Sequence, residues 1–226
     1  MKNLYKINNS IERLNREEST LFLDKKELEI IKRKINKSKY NIYSPYEESD
    51  KVILYKKKLP KVLLYKINCN NNIRHQDILG SLYNIGVDMS YIGDIIKYQD
   101  NFYFYILENV EKYIIENFNM ISNYKINLEL SYIDNYKREY SLLELVTTSL
   151  RIDNIVSIIT GDSRKKVLEK FKNKEIILNN EDNIKPSYFI KENDVFSIRK
   201  YGKYKYVEIK NKTKKDKLII KILKYK

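Results

Sequence analysis

Changes in the period of apolar and polar positions mark out the elements of this chain. Leu28 and Ile31 begin an i, i+3 apolar stripe behind Asp24, which is placed as an N-cap, so a helix is predicted to start there. Val52-Ile53-Leu54-Tyr55 reads as a short strand, and Pro60 punctuates a boundary. From Val62 the pattern predicts a strand to Ile67 and a helix from Gln76 to Asn84. A hairpin follows, with Asp94 to Lys97 and Phe102 to Leu107 around Gln99-Asp100-Asn101. A helix from Val110 to Phe118 and a strand from Tyr124 to Leu130 complete the order β-α-β-β-α-β, which suggests a ferredoxin-like sandwich. Tyr140 to Ser149 reads as a linker.

Beyond it, Ile152, Ile155, Val156 and Ile159 share one helix face that ends near Gly161, and Ser163 is placed to cap a second helix. Strands are predicted at Glu175 to Leu178, Val195 to Arg199 and Tyr204 to Ile209. A last hairpin turns through Asn211 to Asp216 into Lys217 to Leu223. The fold class is therefore α+β. Its three parts are an N-terminal α+β segment (1–60), a ferredoxin-like middle domain (61–140) and a strand-rich C-terminal domain with its hairpin (141–226).

Phe102, Tyr103, Phe104 and Tyr105 put two aromatics on each face of the middle sheet. RNA-recognition sheets stack bases on such side chains. The same alternation describes an ordinary strand that is half core and half surface, and the RNP sequence pattern is missing.

Composition narrows the class. Hydrophobic residues make up 42% and charged residues 33% of 226, which describes a folding, globular chain. One cysteine, Cys69, and one histidine, His75, give neither an internal disulfide nor a multi-cysteine or His-rich metal site, so no metal and no cofactor are expected. No apolar run approaches the roughly 20 residues of a membrane helix. A cytoplasmic protein without a membrane partner is expected. Net charge is +14, unevenly spread. Residues 1–66 carry 17 basic and 9 acidic side chains, residues 67–140 carry 6 and 10, and residues 141–226 carry 21 and 11. An acidic middle between two basic ends points to a polyanionic partner gripped by the ends. Arg164, Lys165 and Lys166 open the helix after Ser163, where cations oppose the helix dipole. A phosphate approaching that end would offset the penalty, while a solvated basic surface is the simpler reading.

Ser149-Leu150-Arg151-Ile152-Asp153, Ser163-Arg164-Lys165-Lys166-Val167, Ile176-Ile177-Leu178-Asn179, Pro186, Asp194-Val195 and Ser197-Ile198-Arg199 follow one another in an order and spacing that resemble the alpha-L RNA-binding domain. That domain is named after the small-subunit ribosomal protein S-four. The family has Gly where Asn193 stands. Further motifs extend the resemblance to the YlmH-like proteins of bacteria. They are Phe22-Leu23-Asp24, His75-Gln76-Asp77-Ile78-Leu79-Gly80, Asn84-Ile85-Gly86-Val87, Ile92-Gly93-Asp94-Ile95 and Tyr201-Gly202-Lys203-Tyr204.

The resemblance implies a ribosome-associated protein that binds structured ribosomal RNA. It points to the large ribosomal subunit, with tRNA as a neighbouring contact, and to a role in translation or in rescue and quality control of stalled ribosomes. Carried over position by position, the RNA face would comprise Arg151, Ser163, Arg164, Lys165, Lys166, Asn179, Arg199, Lys200 and Lys203. Asp153 would orient Arg151 or cap its helix. His75 reads as a structural or capping residue.

An RNA-modifying enzyme of the pseudouridine-synthase type is the rival, because alpha-L domains accompany such enzymes and Arg151-Ile152-Asp153 echoes the Arg-Leu-Asp around their catalytic aspartate. Here those residues fall within the alpha-L module itself, so no catalytic residue is assigned and no enzyme is expected. A third reading, compatible with the first, is an adaptor whose middle domain holds a protein partner while the basic ends hold RNA.

Overall fold

The computed structural model describes residues 2–35 and 40–225. The chain is a mixed α+β protein that divides into two units, Met1–Lys137 and Arg138–Lys226. The segment 1–60 and the middle domain thus fall within one unit.

The first unit runs α1 (Lys2–Asn15), β1 (Leu23–Asp24), α2 (Lys25–Lys34), β2 (Asn41–Tyr43), β3 (Lys51–Tyr55), β4 (Val62–Asn68), α3 (His75–Asn84), β5 (Ile92–Tyr98), β6 (Asn101–Leu107), α4 (Glu111–Asn117), β7 (Met120–Ile121), β8 (Tyr124–Lys125) and β9 (Asn127–Ser131). Asp24 caps α2 as its sequence position predicts. Its carboxylate accepts from the Glu27 N–H at 2.8 Å while the Glu27 carboxylate accepts from the Asp24 N–H at 2.9 Å. Helix α1 escaped the sequence reading, because Ile7 and Leu14 are its only fully buried apolar side chains. The strand expected over Tyr124 to Leu130 is interrupted, its first part pairing with β7 and its second joining the main sheet.

Strands β5-β6-β4-β9 form one antiparallel sheet, with β6 between β5 and β4. This is the arrangement a β-α-β-β-α-β chain adopts when its two β-α-β halves interleave. Leu63, Tyr65, Ile67, Phe104 and Ile106 face α3 and α4 and pack with Ile78, Leu82, Ile114 and Phe118. The opposite face is also closed, and here the base-stacking reading is corrected. Tyr103 and Tyr105 are each 7% exposed, covered by Phe22, Tyr46, Ile53 and Tyr136. Strand β3 explains how the cover is built. Its Ile53 points into this interface, whereas Val52 and Leu54 point the other way into a core with Ile7, Leu14, Leu23 and Ile31. Period-two alternation in one short strand therefore seals two cores.

Polar groups fix the cover in place. A break in register between Ile92 and Ile95 interrupts the β5 ladder around Gly93 and Asp94. The Asp94 carboxylate, buried at 7% exposure, accepts from the Tyr46 hydroxyl (2.5 Å), the Ser49 hydroxyl (2.9 Å) and the Asp50 N–H (2.8 Å). In return Lys51 donates to the carbonyls of Ile92 (2.6 Å) and Met89 (3.2 Å). Burial pushes the Lys51 ammonium below its ordinary range, and the nearby Asp94 charge opposes that shift.

The second unit comprises β10 (Tyr140–Thr147), α5 (Ile152–Thr160), α6 (Arg164–Lys172), β11 (Ile176–Leu178), β12 (Val195–Ile198), β13 (Gly202–Lys212) and β14 (Leu218–Tyr225). Its five-stranded sheet has the order β10-β14-β13-β12-β11. The expected linker Tyr140 to Ser149 is largely β10, paired from Tyr140↔Tyr225 to Thr147↔Leu218. Its apolar residues do not advertise a strand until β14 is laid beside it. Ile152, Ile155, Val156, Val167 and Phe171 of the helices pack on Phe196, Tyr204, Tyr206, Ile220 and Ile222 of the sheet. Gly161 ends α5 in the left-handed conformation (φ 72°), as its position predicts. Asn193 is also left-handed (φ 69°), a conformation that asparagine tolerates better than most side chains.

Two glycines give opposite expectations. A Cβ on Gly93 would lie 2.7 Å from Tyr105 Cβ and 2.9 Å from Phe22 Cζ, whereas one on Gly80, inside α3, would meet nothing within 4 Å. In urea unfolding, Gly93→Ala should destabilise the first unit by about 1–3 kcal/mol, and Gly80→Ala should stabilise it by about 1 kcal/mol.

Candidate functional site

The residues assigned by sequence all lie in the second unit, but they do not form one set. Ser163, Arg164, Lys165 and Lys166 occupy the start of α6 and are exposed. Inward residues Val167 and Phe171 fix the rotation of the helix, and the three cations of its first turn lie exposed. Ser163 sits at the N-cap in extended conformation (φ −63°, ψ 155°), yet its side chain makes no capping hydrogen bond, so that hydroxyl does not occupy the N–H groups of the first turn.

Arg151 precedes α5 and is held rigidly. Its guanidinium donates to both Asp153 oxygens, at 3.1 Å from Nε and 2.6 Å from the terminal nitrogen. This hydrogen-bonded pair holds the Asp153 carboxyl below the ordinary aspartate range, against the opposing effect of burial. Arg164 contributes a further, weaker electrostatic pull. Asp153 also accepts from the Asn154 N–H at 2.9 Å. Orientation of Arg151 by Asp153 is what the sequence led one to expect. The N-terminus of α5 itself is closed to ligands, because its first N–H groups donate to the carbonyls of Tyr188 (Ile152, 2.8 Å) and Pro186 (Asp153, 3.1 Å).

A second group lies at the β12–β13 turn. Arg199 and Lys200 are exposed, and Lys200 is left-handed at φ 71°. Lys203 is half-buried, with its ammonium 4.9 Å from the centroid of the Tyr225 ring. Arg138 also lies over Tyr225, at 5.0 Å, and Tyr140 meets the same ring edge-on at 5.0 Å. Sequence reading missed Arg138, Tyr140 and Tyr225, because they become neighbours of Lys203 only once β10 pairs with β14.

Asn179 stands apart. Its amide donates to Asp194 at 2.7 Å, its carbonyl oxygen accepts from the Val195 N–H at 2.9 Å, and its backbone is left-handed at φ 49°. Asp194 accepts further from the Lys191 N–H (2.8 Å) and the Tyr188 hydroxyl (3.2 Å). The side chain of Asn179 is thus committed to holding the β11–β12 connection. Lys170, which the sequence reading did not select, is neutralised by Asp162 at 3.5 Å and Glu175 at 3.6 Å. By contrast, Lys165, Lys166, Arg199 and Lys200 have no acidic partner among the described residues. Exposed cations of this kind can meet phosphate without first giving up an ion pair.

The architecture and the unpaired cations define an α+β protein with a basic second unit. Residues 61–135 match the family described as "Putative RNA-binding domain in YlmH". The chain is also 26% identical over 149 residues to the Ribosome-associated protein quality control protein P2 of Bacillus subtilis (strain 168), a match covering 65% of this chain and 58% of the relative. It therefore spans little more than half the length of that curated relative. A solved structure, the cell division protein ylmH from Streptococcus pneumoniae, aligns with a TM-score of 0.46 at 18% identity, over 58% of this chain and 90% of that one. By the family matched over 61–135 and by its curated relative, the chain is similar to the YlmH-like proteins.

Because the folded state depresses the Asp153 carboxyl, the Arg151–Asp153 pair contributes stability that is complete above the ordinary aspartate value of about 4 and is lost as pH falls through the depressed value. Thermal melts across the acid range should show Asp153→Asn well below the parent at neutral pH and converging on it in acid.

Proposed function

We propose that this protein binds structured ribosomal RNA through its second unit, which acts as an alpha-L module of the S-four type, and that it works on the ribosome in the rescue or quality control of stalled translation. The observation that carries the reading is the set of exposed cations at the start of α6 and at the β12–β13 turn. Lys165, Lys166, Arg199 and Lys200 lack acidic partners among the described residues, and the unit has 21 basic against 11 acidic side chains over 141–226. The printed name of the Bacillus subtilis relative supplies the ribosomal context and quality control. The description of the family matched by residues 61–135 supports RNA as the partner. The large ribosomal subunit is the proposed platform, with tRNA a neighbouring contact and a protein partner on the first unit compatible with both.

The proposed role is binding rather than catalysis, and its place is the cytoplasm. Asp153, the residue that echoes a synthase aspartate, is 5% exposed and already engaged by Arg151, which suits a positioning role. Among the described residues no helix is long and apolar enough to cross a membrane.

Arg164→Glu combined with Lys165→Glu should abolish co-sedimentation with large ribosomal subunits without unfolding the protein, since both side chains are exposed. Unchanged co-sedimentation would remove the proposed face. If about 6 phosphates are neutralised, affinity for a ribosomal RNA fragment should fall by about 10³ or more between about 50 and 200 mM salt, by analogy with duplex DNA.

A further inference from the structure

Closure of the aromatic sheet face in the first unit leaves an RNA-binding domain over 61–135 without the surface on which such sheets stack bases, so contact with RNA must be made elsewhere on it. At one end of the four-stranded sheet, the β4–α3 loop and the β5–β6 turn enclose a pocket of about 340 Å³, within the range of small-ligand sites. Its chemistry differs from that of the second unit. The two permanent cations at its rim are each matched by an acid. Arg74 donates to Asp77 at 3.0 and 2.9 Å, and Lys97 lies 3.1 Å from Asp100. The pocket thus has little net charge to attract a phosphate. What it presents instead is carboxamide. Asn71 and Asn72 are exposed and make no side-chain hydrogen bond among the described residues. Asn101 donates its amide to the Gln99 carbonyl at 2.8 Å, which leaves its side-chain oxygen turned to other donors. Phe102, half-buried, supplies an apolar wall.

A carboxamide carries a donor and an acceptor side by side, which is the pattern along the edge of a nucleobase. A base reaches such a group only when it is unpaired. We infer that this pocket takes one unpaired base of an RNA, read through Asn71, Asn72 and Asn101 against the Phe102 ring. The inference rests on the RNA-binding reading above and adds to it a second, uncharged contact specific for single strands. It assigns the two units different tasks: the second holds phosphates regardless of sequence, and the pocket inspects a base.

The only histidine of the chain, His75, lines the pocket, so its imidazole resonances report on it without a label elsewhere. The test titrates the full chain with an unpaired mixed-sequence oligoribonucleotide and with a blunt-ended duplex of the same composition whose bases are all paired. Saturable movement of the His75 signals by the unpaired strand, persisting when the salt is doubled, supports the site. Asn72→Ala with Asn101→Ala should then weaken the response by about tenfold or more. His75 signals that stay still, or move equally with the blunt-ended duplex, overturn the inference.

Fluorescence anisotropy with a structured ribosomal RNA fragment, run on the same samples, separates the two readings. Binding that is lost in Arg164→Glu/Lys165→Glu while His75 never responds removes the pocket alone. No binding in either measurement removes the RNA reading with it.

Discussion

A carboxylate placed inside a protein must be met by donors or it will not stay charged there. Asp94 is met by the Tyr46 and Ser49 hydroxyls and the Asp50 N–H, donors from the segment before residue 51. That constraint organises the first unit. The sheet carrying Asp94 would otherwise expose Tyr103, Tyr105 and Ile96, and the segment carrying Tyr46 and Ser49 would have little core of its own. Each side satisfies what the other cannot, since Lys51 returns donors to the carbonyls around Ile92. Gly93 lets the two approach, with Phe22 where a side chain would stand.

The same closure divides the work of recognition. A sheet used as internal scaffolding on both faces leaves only its loops and edges for ligands. In the second unit one sheet face is packed under α5 and α6, and the exposed cations gather where those helices and the β12–β13 turn reach the surface. Both units therefore present chemistry on the rims of sheets whose main job is packing. Asn179 illustrates another use of the rim, a polar residue that holds Asp194 and Val195 in place.

Much of the fold was legible because local signals were strong. The Asp24 capping box, the Gly161 stop and the alternation in β4 and β6 each have a short-range cause. What was missed depends on contacts distant in sequence. Strand β10 passes for a linker because Leu142, Leu143 and Leu145 show no clean alternation, and its identity follows only from its partner β14. Burial of Tyr103 and Tyr105 was unreadable for the same reason, since nothing in residues 102–105 announces that Tyr46 and Phe22 will cover them. At the candidate site the cations of α6 were legible from their place behind Ser163 and the Arg151–Asp153 pair from the resemblance, whereas the bond of Asn179 to Asp194 needed the geometry.

Pairing of β10 with β14 also sets a timetable. The first strand of the second unit, from Tyr140, has as its neighbour the strand that ends at Tyr225. During synthesis β10 emerges long before its partner exists, and its exposed Leu142 and Val146 must wait unpaired. Closing so long a loop costs more chain entropy than closing a local hairpin. The basic unit thus acquires its sheet only after β14 has followed β10 out of the ribosome, whereas the first unit, ending at Lys137, is translated before either strand.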